Sequence, residues 1–391
     1  MSVAWITLVG VLGALIGSFG NVVVHRWPLG LSVVRPRSRC PRCERTLGPL
    51  DLVPIVSWLV LRARCRSCGA PISARYPLVE GAMALGFVVL AIAYPVERAG
   101  LSVVPLLVLF AMLLMAALID FDTYLLPDAL TLPALAIALL GAFVYDPALG
   151  LPTPREALFG AAVAAGVLVL INRIGALVLR RFADTGERLW PLSLDTVNVA
   201  ALAGALGGLL AALVAGALQT VASAALRRPL RLPEGALYAL WVAALIAVAA
   251  GAGRLWGVGP IEALGGSVAG AGAFALLGAI WWWVADWRGG AGSQQVVTDA
   301  TTKPEDDDGE PVAMGFGDVK LAGVLGAMLG WEAFLVALLY AVVLGAVVGV
   351  TARALGGSRF VPFGPFLVIG AFLALASADA LLAWYLGLLG L

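Results

Sequence analysis

The sequence is short of the charged side chains that keep a protein in water. They make up 13% of its 391 residues, and only two of them, Lys303 and Lys320, are lysines. Soluble globular domains carry about 25% charged residues, so this shortage excludes that class. The chain is 61% hydrophobic, with a mean hydropathy of +0.99. This composition predicts an all-α polytopic membrane protein.

Histidine is also nearly absent, which removes several kinds of catalytic site. His25 is the only one, so the chain contains neither an HExxH motif nor a Ser–His pair. It stands beside Arg26 at the end of the first apolar run, where we interpret it as an interfacial residue rather than a base. Acid–base chemistry is therefore left to the carboxylates.

A basic leader segment is missing from the N-terminus. Residues 1–24 are apolar from the start and contain no small-residue cleavage site, so we expect a retained first membrane span rather than a cleaved signal peptide. Ten arginines then lie between residues 26 and 77, against only Glu44 and Asp51. Such a run is typical of a cytoplasmic loop between two spans. A nucleic-acid-binding patch is the less favoured interpretation, and we expect no nucleic-acid partner.

Apolar runs of about 20 residues, enough to cross a lipid bilayer, recur along the chain. They cover residues 3–24, 77–95, 101–119, 128–145, 156–179, 235–256, 260–285, 332–354 and 360–388, with shorter pieces at 196–226 and 318–331. The arginine-rich loop places the N-terminus outside and residues 25–76 in the cytoplasm. The polar stretch 286–314 is predicted to be a disordered cytoplasmic loop.

Part of the chain is an internal repeat. The matching stretches are Pro154-Arg-Glu-Ala-Leu-Phe-Gly160 with Pro260-Ile-Glu-Ala-Leu-Gly-Gly266, Asp195 with Asp318, and Leu232-Pro-Glu-Gly235 with Val361-Pro-Phe-Gly364. Chance similarity between two segments rich in alanine, leucine and glycine is the alternative. The repeat makes 196–226 the counterpart of a hairpin at 318–354, and a hairpin there leaves the following arginines in the cytoplasm. The prediction is about 12 transmembrane segments, an eight-helix body plus a degenerate four-helix copy.

All four cysteines lie in the arginine-rich loop. Cys40, Cys43, Cys65 and Cys68 form a C-x2-C-x21-C-x2-C array, in which two pairs of thiolates complete a tetrahedral zinc site. Four protein ligands leave no open position, so the zinc ion is expected to be structural. Disulfides are not expected in the reducing cytoplasm. The alternative is four reduced thiols in a loop without fixed structure.

These features divide the sequence into five predicted segments. They are the first span (1–24), a cytoplasmic zinc-ribbon-like loop (25–76), helices carrying a first acidic motif (77–149), the inserted copy (150–257) and final helices carrying a Gly-Phe-Gly-Asp motif (258–391).

Two carboxylates at the ends of apolar runs are the candidate catalytic residues, because ionisable groups at membrane depth are costly and usually functional. Asp120 ends the run 101–119, and Asp318 begins another. Two carboxyl groups at close range share a proton, so one can activate water while the other donates to a scissile carbonyl. Asp122 and Asp128 compete with Asp120, but Asp128 suits a structural role at the start of a helix.

The residues around Asp318 are candidate substrate contacts. Gly315 and Gly317 precede it and allow a substrate strand to approach the backbone closely. Lys320 follows it and either holds a neighbouring carboxylate or extends its ammonium group toward the interface.

Several motifs together resemble the type IV prepilin peptidases, also called leader peptidases, of the GxGD aspartic protease group. In chain order they are Gly13 to Val22 with His25-Arg-Trp-Pro28, the two CxxC pairs with Pro54-Ile-Val-Ser-Trp58 between them, Arg75-Tyr-Pro-Leu-Val-Glu80, Asp120 to Asp128, Met314 to Leu321, and Pro362-Phe-Gly-Pro-Phe366. Together these motifs span about 280 of the 391 residues, in the same order as in the family. The inserted copy departs from it, because Leu192-Ser-Leu-Asp195 lacks both glycines of the second motif.

The resemblance implies an activity, a location and partners. The family cuts the short basic leader from type IV prepilins or type II secretion pseudopilins, just after a glycine, at the cytoplasmic face of the bacterial inner membrane. Asp120 and Asp318 would be the catalytic pair, and the lipid bilayer and a prepilin would be the partners. Many members also methylate the new N-terminus with S-adenosylmethionine, but no glycine-rich nucleotide loop stands out here. A transporter, or a non-catalytic membrane scaffold with a structural zinc loop, is the alternative.

Overall fold

The structure is a computed structural model, and it describes residues 3–178, 192–228, 230, 232–255, 257–288, 315–356 and 361–388. Within these ranges the chain is helical, and the only β-type pairings are two isolated bridges in the cysteine-containing loop. The all-α prediction is therefore confirmed for the described part. Most of the predicted loop 286–314 lies outside the described residues.

Thirteen α-helices account for most of the described chain. They are α1 (Val3–Arg26), α2 (Val56–Val60), α3 (Arg75–Ala93), α4 (Val96–Ala99), α5 (Val103–Thr123), α6 (Asp128–Gly141), α7 (Pro154–Val178), α8 (Leu194–Leu226), α9 (Glu234–Ala249), α10 (Pro260–Arg288), α11 (Phe316–Leu329), α12 (Trp331–Ala354) and α13 (Gly364–Leu388).

Among the described residues, eight helical segments are long and apolar enough to cross a membrane. They are α1, α3, the stretch from α4 through α5, α7, α8, α10, α12 and α13, while α6 and α9 are apolar but shorter. A multi-pass membrane protein is the direct consequence. The predicted count of about 12 is reached only if the shorter helices α6, α9 and α11 are added and α8 is counted twice.

The helices form two compact units, and the first ends at Gly150. In this unit α3 packs against both α1 and α5, and α6 packs against α5. A Cβ atom built on Gly17 of α1 would lie only 2.8 Å from the Cα atom of Glu80 in α3. Small residues that let two backbones approach are typical of helix packing in membranes, where lipid offers apolar side chains no extra driving force to associate.

The second unit begins at Leu151 and contains α7 to α13. Its helix α8 is broken at Gly207 and Gly208, and Gly208 has φ +69° and ψ −168°. Gly330, which joins α11 to α12, has the similar values φ +79° and ψ 166°. Only glycine adopts this combination at low cost. The segment predicted as a hairpin and its predicted counterpart are therefore both interrupted by a glycine in the same conformation.

Contacts with α10 show that α8 reverses direction at this break. With the α8 residue written first, the pairs in contact are Ala200–Gly270 and Gly204–Gly266 before the break, and Gly208–Gly266 and Ala212–Gly270 after it. The first two pairs run antiparallel to α10, and the last two run parallel to it. Helix α8 is therefore a helical hairpin, as the repeat predicts.

Each hairpin of the second unit packs against a helix from the other half of the unit. A Cβ atom on Gly160 of α7 would lie 2.3 Å from the carbonyl oxygen of Gly326 in α11. In the same way, a Cβ atom on Gly266 of α10 would lie 2.5 Å from the carbonyl carbon of Gly208 in α8. Helices α7 and α10 thus use corresponding glycines. Each packs against the hairpin of the other copy, α7 against the hairpin that follows α10 and α10 against the hairpin that follows α7.

Helices α7 and α10 also contact each other reciprocally. A Cβ atom on Gly166 would lie 1.9 Å from the carbonyl oxygen of Val268, and one on Gly272 would lie 1.9 Å from the carbonyl oxygen of Ala162. The residue shift that relates Gly160 to Gly266 also relates Gly166 to Gly272 and Ala162 to Val268. An interface that looks the same from either side is what two copies related by a two-fold axis produce.

Candidate functional site

The four cysteines of the predicted metal loop come together in the first unit. One ligand atom from each of Cys40, Cys43, Cys65 and Cys68 lies within 4.8 Å of all the others, and the Cys40 and Cys68 sulfur atoms are 3.8 Å apart. A tetrahedral zinc ion with Zn–S bonds of about 2.3 Å separates its sulfur ligands by about 3.8 Å. The arrangement fits a single ion of this type.

The two CxxC pairs have the same backbone structure. The Cys40 N–H donates to the Arg45 carbonyl oxygen over 3.0 Å, and the Cys65 N–H donates to the Ala70 carbonyl oxygen over 2.8 Å. Both turns close through a residue with positive φ, Glu44 at +54° and Gly69 at +66°. The loop is therefore built from two copies of one knuckle, which is the usual way in which a chain presents paired thiolates to one metal ion.

The local surroundings shift the pKa values of these thiols in different directions. Backbone N–H groups of Cys68 and Ser67 lower the pKa of Cys65 to about 6. The N–H of Arg45 lowers the pKa of Cys43, but removal from water and neighbouring thiols outweigh it and raise that pKa to about 11. Thiols so close together lose all their protons at neutral pH only when a cation offsets the accumulated negative charge. The donor set therefore suits a bound metal ion.

The first acidic motif lies at the end of α5. Asp120 is only 5% exposed and sits in the last turns of that helix, which Tyr124 closes with φ +58° and an N–H bond to the Asp120 carbonyl oxygen. Asp122 is exposed and forms two hydrogen bonds with the Arg75 guanidinium. Asp128 lies in the first turn of α6. Of the three carboxylates, Asp120 is the one that the helix packing buries.

The second acidic motif begins α11. Asp318 lies in the first turn, where its carboxylate accepts a hydrogen bond from the Gly315 N–H over 3.2 Å. Gly315 has a negative φ, and a Cβ atom on it would meet nothing closer than 3.7 Å. The fold itself therefore does not demand glycine at this position. The Lys320 ammonium lies 5.7 Å from the centroid of the Phe316 ring, within the range of a cation–π contact.

The structure shifts the alignment of the copied hairpin, α8, with the hairpin of α11 and α12 by one residue. The first helix of each hairpin has the same length, counted from its N-cap residue to the glycine that interrupts the hairpin. This count runs from Ser193 to Gly208 in one hairpin and from Gly315 to Gly330 in the other. In that register Thr196, not Asp195, occupies the position of Asp318. Thr196 is fully buried, and its hydroxyl has no hydrogen-bond partner among the described residues. The copy thus has no carboxylate at the corresponding position.

Family descriptions match both units of the chain. The bacterial peptidase A24 N-terminal domain matches residues 11–94, which include the metal loop. The type IV leader peptidase family matches residues 107–226 and again residues 228–350, which include the two acidic motifs. The chain belongs to the type IV leader peptidase family. The resemblance inferred from the motifs is therefore confirmed, and the chain is a member of a prepilin-processing enzyme family.

Individual relatives carry corresponding names. A "Prepilin leader peptidase/N-methyltransferase" of Myxococcus xanthus (strain DK1622) is 40% identical over 219 residues, covering 53% of this chain and 63% of that protein. A "Type 4 prepilin-like proteins leader peptide-processing enzyme" of Escherichia coli O78:H11 is 35% identical over 223 residues, covering 50% and 80%. An Aeromonas hydrophila relative with the first of these names is 28% identical over 410 residues, covering 98% and 94%. No solved structure matches the chain.

For this family member, the sequence-predicted metal ligands are brought together within one unit. The two predicted catalytic aspartates belong to different units, Asp120 to the first and Asp318 to the second. Their pairing is therefore a proposal, as are the substrate contacts assigned to Gly315, Gly317 and Lys320. Sequence reasoning missed the polar partners at the start of α3, of which Arg75 and Glu80 are the clearest. Their only sequence signal was a place in one of the resembling motifs.

Proposed function

We propose that the chain is a membrane-embedded aspartic endopeptidase that uses Asp120 and Asp318. The observation that carries the proposal is that both family motifs hold a carboxylate at a helix end. Asp120 is buried in the last turns of α5, and Asp318 is fixed at the start of α11 by the Gly315 N–H. A carboxylate whose orientation is set before the substrate arrives loses little entropy in the reaction.

The proposed chemistry needs the two carboxyl groups to meet. Two carboxyl groups in one site cannot both ionise easily, so they share a proton. The ionised group takes a proton from the attacking water, and the protonated one donates to the scissile carbonyl oxygen. Collapse of the tetrahedral intermediate then breaks the C–N bond, and the amine leaves with a proton. Gly315, Gly317 and Lys320 are the proposed contacts for the substrate strand.

The proposed substrate is the short basic leader of a type IV prepilin or a type II secretion pseudopilin. The relatives named as prepilin leader peptidases support this assignment. The proposed location is the bacterial inner membrane, with the active site at the cytoplasmic face, because the arginine-rich loop follows the positive-inside rule. The bilayer is the second proposed partner.

A second activity is proposed more narrowly. Relatives are named N-methyltransferases as well as peptidases, which supports methylation of the new N-terminus with S-adenosylmethionine as methyl donor. No glycine-rich nucleotide-binding loop is recognised within the described part of the chain, so none of these residues is assigned to that cofactor.

The proposed role of the cysteine cluster is structural. Cys40, Cys43, Cys65 and Cys68 would hold one Zn²⁺ as four thiolates and leave no position open for water or substrate. When bound, the ion would supply folding energy to a loop that has little hydrophobic core of its own. The surrounding arginines would offset the negative charge of the site.

The proposed topology has 12 membrane segments. The chain is divided, as the sequence suggests, into five regions: residues 1–24, 25–76, 77–149, 150–257 and 258–391. Counting the α8 hairpin as two segments and adding α6, α9 and α11 to the eight long apolar helices gives this number. The added segments are short, since α11, for example, has 14 residues and about 20 are needed for a full crossing. We expect the glycine-broken end of each hairpin to stay below the far surface of the bilayer.

A cleavage assay tests the peptidase directly. Membranes containing the protein are incubated with a type IV prepilin, and wild type is compared with Asp120→Asn and Asp318→Asn. Each variant is expected to lose cleavage by about 100-fold or more, because a proton-transfer group is removed without changing shape. Asp195→Asn is the matched control, since it lies at the start of the copied helix, and it is expected to cleave normally.

The alternatives make different predictions in the same assay. A transporter or a non-catalytic scaffold gives no leader removal by the wild-type protein, and that result would overturn the proposal. Cleavage that survives in either Asp120→Asn or Asp318→Asn would overturn the assignment of the pair while leaving the peptidase in place.

A further inference from the structure

The first two turns of α3 connect three other parts of the first unit. The Arg75 guanidinium pairs with the Asp122 carboxylate of α5 through both of its terminal nitrogens, with Nη1 to Oδ1 at 3.0 Å. The Asn21 side-chain amide of α1 donates to the Tyr76 carbonyl oxygen over 3.2 Å. The Glu80 carboxylate accepts the backbone N–H of the metal loop at residue 55 over 2.7 Å. This short stretch of α3 therefore joins α1, α5 and the metal loop.

The connection to the metal loop is well enclosed. Glu80 is 7% exposed, and a buried carboxylate is tolerated only where it is hydrogen-bonded. The loop is held a second time by the Trp58 indole N–H, which donates to the Ile72 carbonyl oxygen over 3.1 Å just before α3 begins. The Ile72 N–H in turn donates to the Ala63 carbonyl oxygen over 2.7 Å. A folded loop thus fixes where α3 starts.

The connection to α5 lies beside the proposed catalytic aspartate. Asp122 is two residues beyond Asp120 in the same final turns of α5. Because a helix turn moves as a unit, a clamp on Asp122 also fixes the backbone that carries Asp120. Bidentate pairing by an arginine restricts direction as well as distance.

The two charges are placed against the dipoles of their own helices. Arg75 lies in the first turn of α3, and Asp122 lies in the last turn of α5. A positive charge at a helix N-terminus and a negative charge at a helix C-terminus each destabilise the helix that carries them. Helix stability alone would favour the reverse arrangement, so it does not explain why these residues are here.

We propose that Arg75 and Asp122 are positioning residues for Asp120, and that they carry the order of the metal loop to the end of α5. The inference rests on the proposed catalytic role of Asp120. In this scheme neither residue touches the substrate. Loss of the pair lets the last turn of α5 move, which misplaces the Asp120 carboxylate relative to the scissile bond.

The test separates turnover from binding. In the prepilin cleavage assay, Asp122→Asn is expected to lower kcat by about tenfold, because small displacements of a reacting group cost that much. KM is expected to stay within about twofold, since substrate contacts are unchanged. Asp122→Asn removes a charge that opposes the α5 dipole, so a loss of turnover cannot be attributed to a less stable helix.

A matched control and a charge swap complete the design. Asp51→Asn breaks the ion pair between Asp51 and Arg66, which lies wholly inside the metal loop at 2.8 Å, and it is expected to keep wild-type kcat. The double variant Arg75→Asp with Asp122→Arg restores the pair with opposite polarity and is expected to recover most of the turnover. Zinc content, measured by elemental analysis, is expected to be unchanged in all of these variants.

Coupling to the loop is measured with a double-mutant cycle. If the pair transmits the order of the loop, Cys43→Ser and Asp122→Asn combined lower kcat by less than the product of their separate effects. If the two substitutions lower kcat by the full product of their separate effects, the pair does not transmit the order of the loop. Wild-type kcat in Asp122→Asn, or a change confined to KM, overturns the positioning role while the proposed peptidase stands. Absence of cleavage by wild type overturns both.

Discussion

At the scale of single residues, the two knuckles of the metal loop differ at one position that matters. Glu44 and Gly69 occupy the same place, one residue after the second cysteine of each pair, and both have positive φ. A left-handed conformation costs a residue with a Cβ atom about 1 kcal/mol relative to glycine. The first knuckle therefore holds strain that the second avoids.

Introducing glycine at position 44 and removing it at position 69 should change metal retention in opposite directions. Glu44→Gly is expected to hold zinc more tightly and Gly69→Ala more weakly, each by about fivefold, which corresponds to about 1 kcal/mol. No atom lies within 4 Å of a Cβ built on Gly69, so crowding does not contribute. Chelator competition, starting from wild-type protein with about one zinc ion per chain, measures the change. Equal retention by Gly69→Ala and wild type would contradict it.

Spacing and chemistry let the sequence predict the cysteine cluster, and they put Asp120 ahead of Asp122 and Asp128. Thiols two residues apart can bind one ion wherever the loop lies, so their pairing did not depend on the fold. The partners of Arg75 and Glu80 could not be predicted in this way. Arg75 meets Asp122 only because α3 and α5 pack side by side, and this long-range contact leaves no periodic trace in the sequence.

At the scale of helices, the α8 hairpin was predictable and the choice of packing partners was not. Arginines after α8 and the resemblance to the segment around Gly330 both required a reversal of the chain. In contrast, α7 and α10 carry the same small-residue pattern, with Gly160 corresponding to Gly266. Either helix could pack against either hairpin by that pattern, so only the three-dimensional structure distinguishes the two arrangements.

Corresponding glycines should therefore have different functional weight. Gly160→Leu is expected to separate α7 from α11, which carries Asp318, and to abolish cleavage. Gly266→Leu is expected to separate α10 from α8 and to cost about 1–3 kcal/mol of stability through overpacking, while the folded fraction still cleaves. Activity per folded molecule, with folding followed by thermal unfolding in detergent, measures the difference.

Gly265 provides the control for these two variants. No atom lies within 4 Å of a Cβ built on it, so Gly265→Leu is expected to leave both stability and cleavage close to wild type. Equal loss of cleavage per folded molecule in Gly160→Leu and Gly266→Leu would contradict the distinction between the two helix pairs.

At the scale of the whole molecule, composition was enough to predict a helical membrane protein. The orientation that the arginine-rich loop predicts stays a prediction. The number of crossings was harder, because hydropathy counts α8 once while its contacts with α10 show a reversal. A glycine break inside a continuous apolar run does not lower hydropathy, so window averages pass over it. The side of the membrane that each loop after α8 faces therefore depends on that one break.

Reporter fusions test the proposed topology at three sites. Fusions after Arg228 and after Arg288 are expected to report the cytoplasm, and one after Gly257 is expected to report the outside, because α8 contributes two crossings. If α8 crosses once, the signals at all three sites are reversed. A fusion within the metal loop, after Arg45, serves as the cytoplasmic reference.

The crossed pairing of α7 with α11 has a consequence for how the protein is made. Helix α7 ends at Val178 and α11 begins at Phe316, so a ribosome adding about 5–20 residues per second needs roughly 7–28 seconds to deliver the partner. During that interval the Gly160 side of α7 lacks its α11 neighbour, while α8 to α10 enter the bilayer ahead of α11. The newly inserted chain must therefore hold an unfinished intermediate, and this waiting period is when misassembly or proteolytic removal would compete most strongly with maturation.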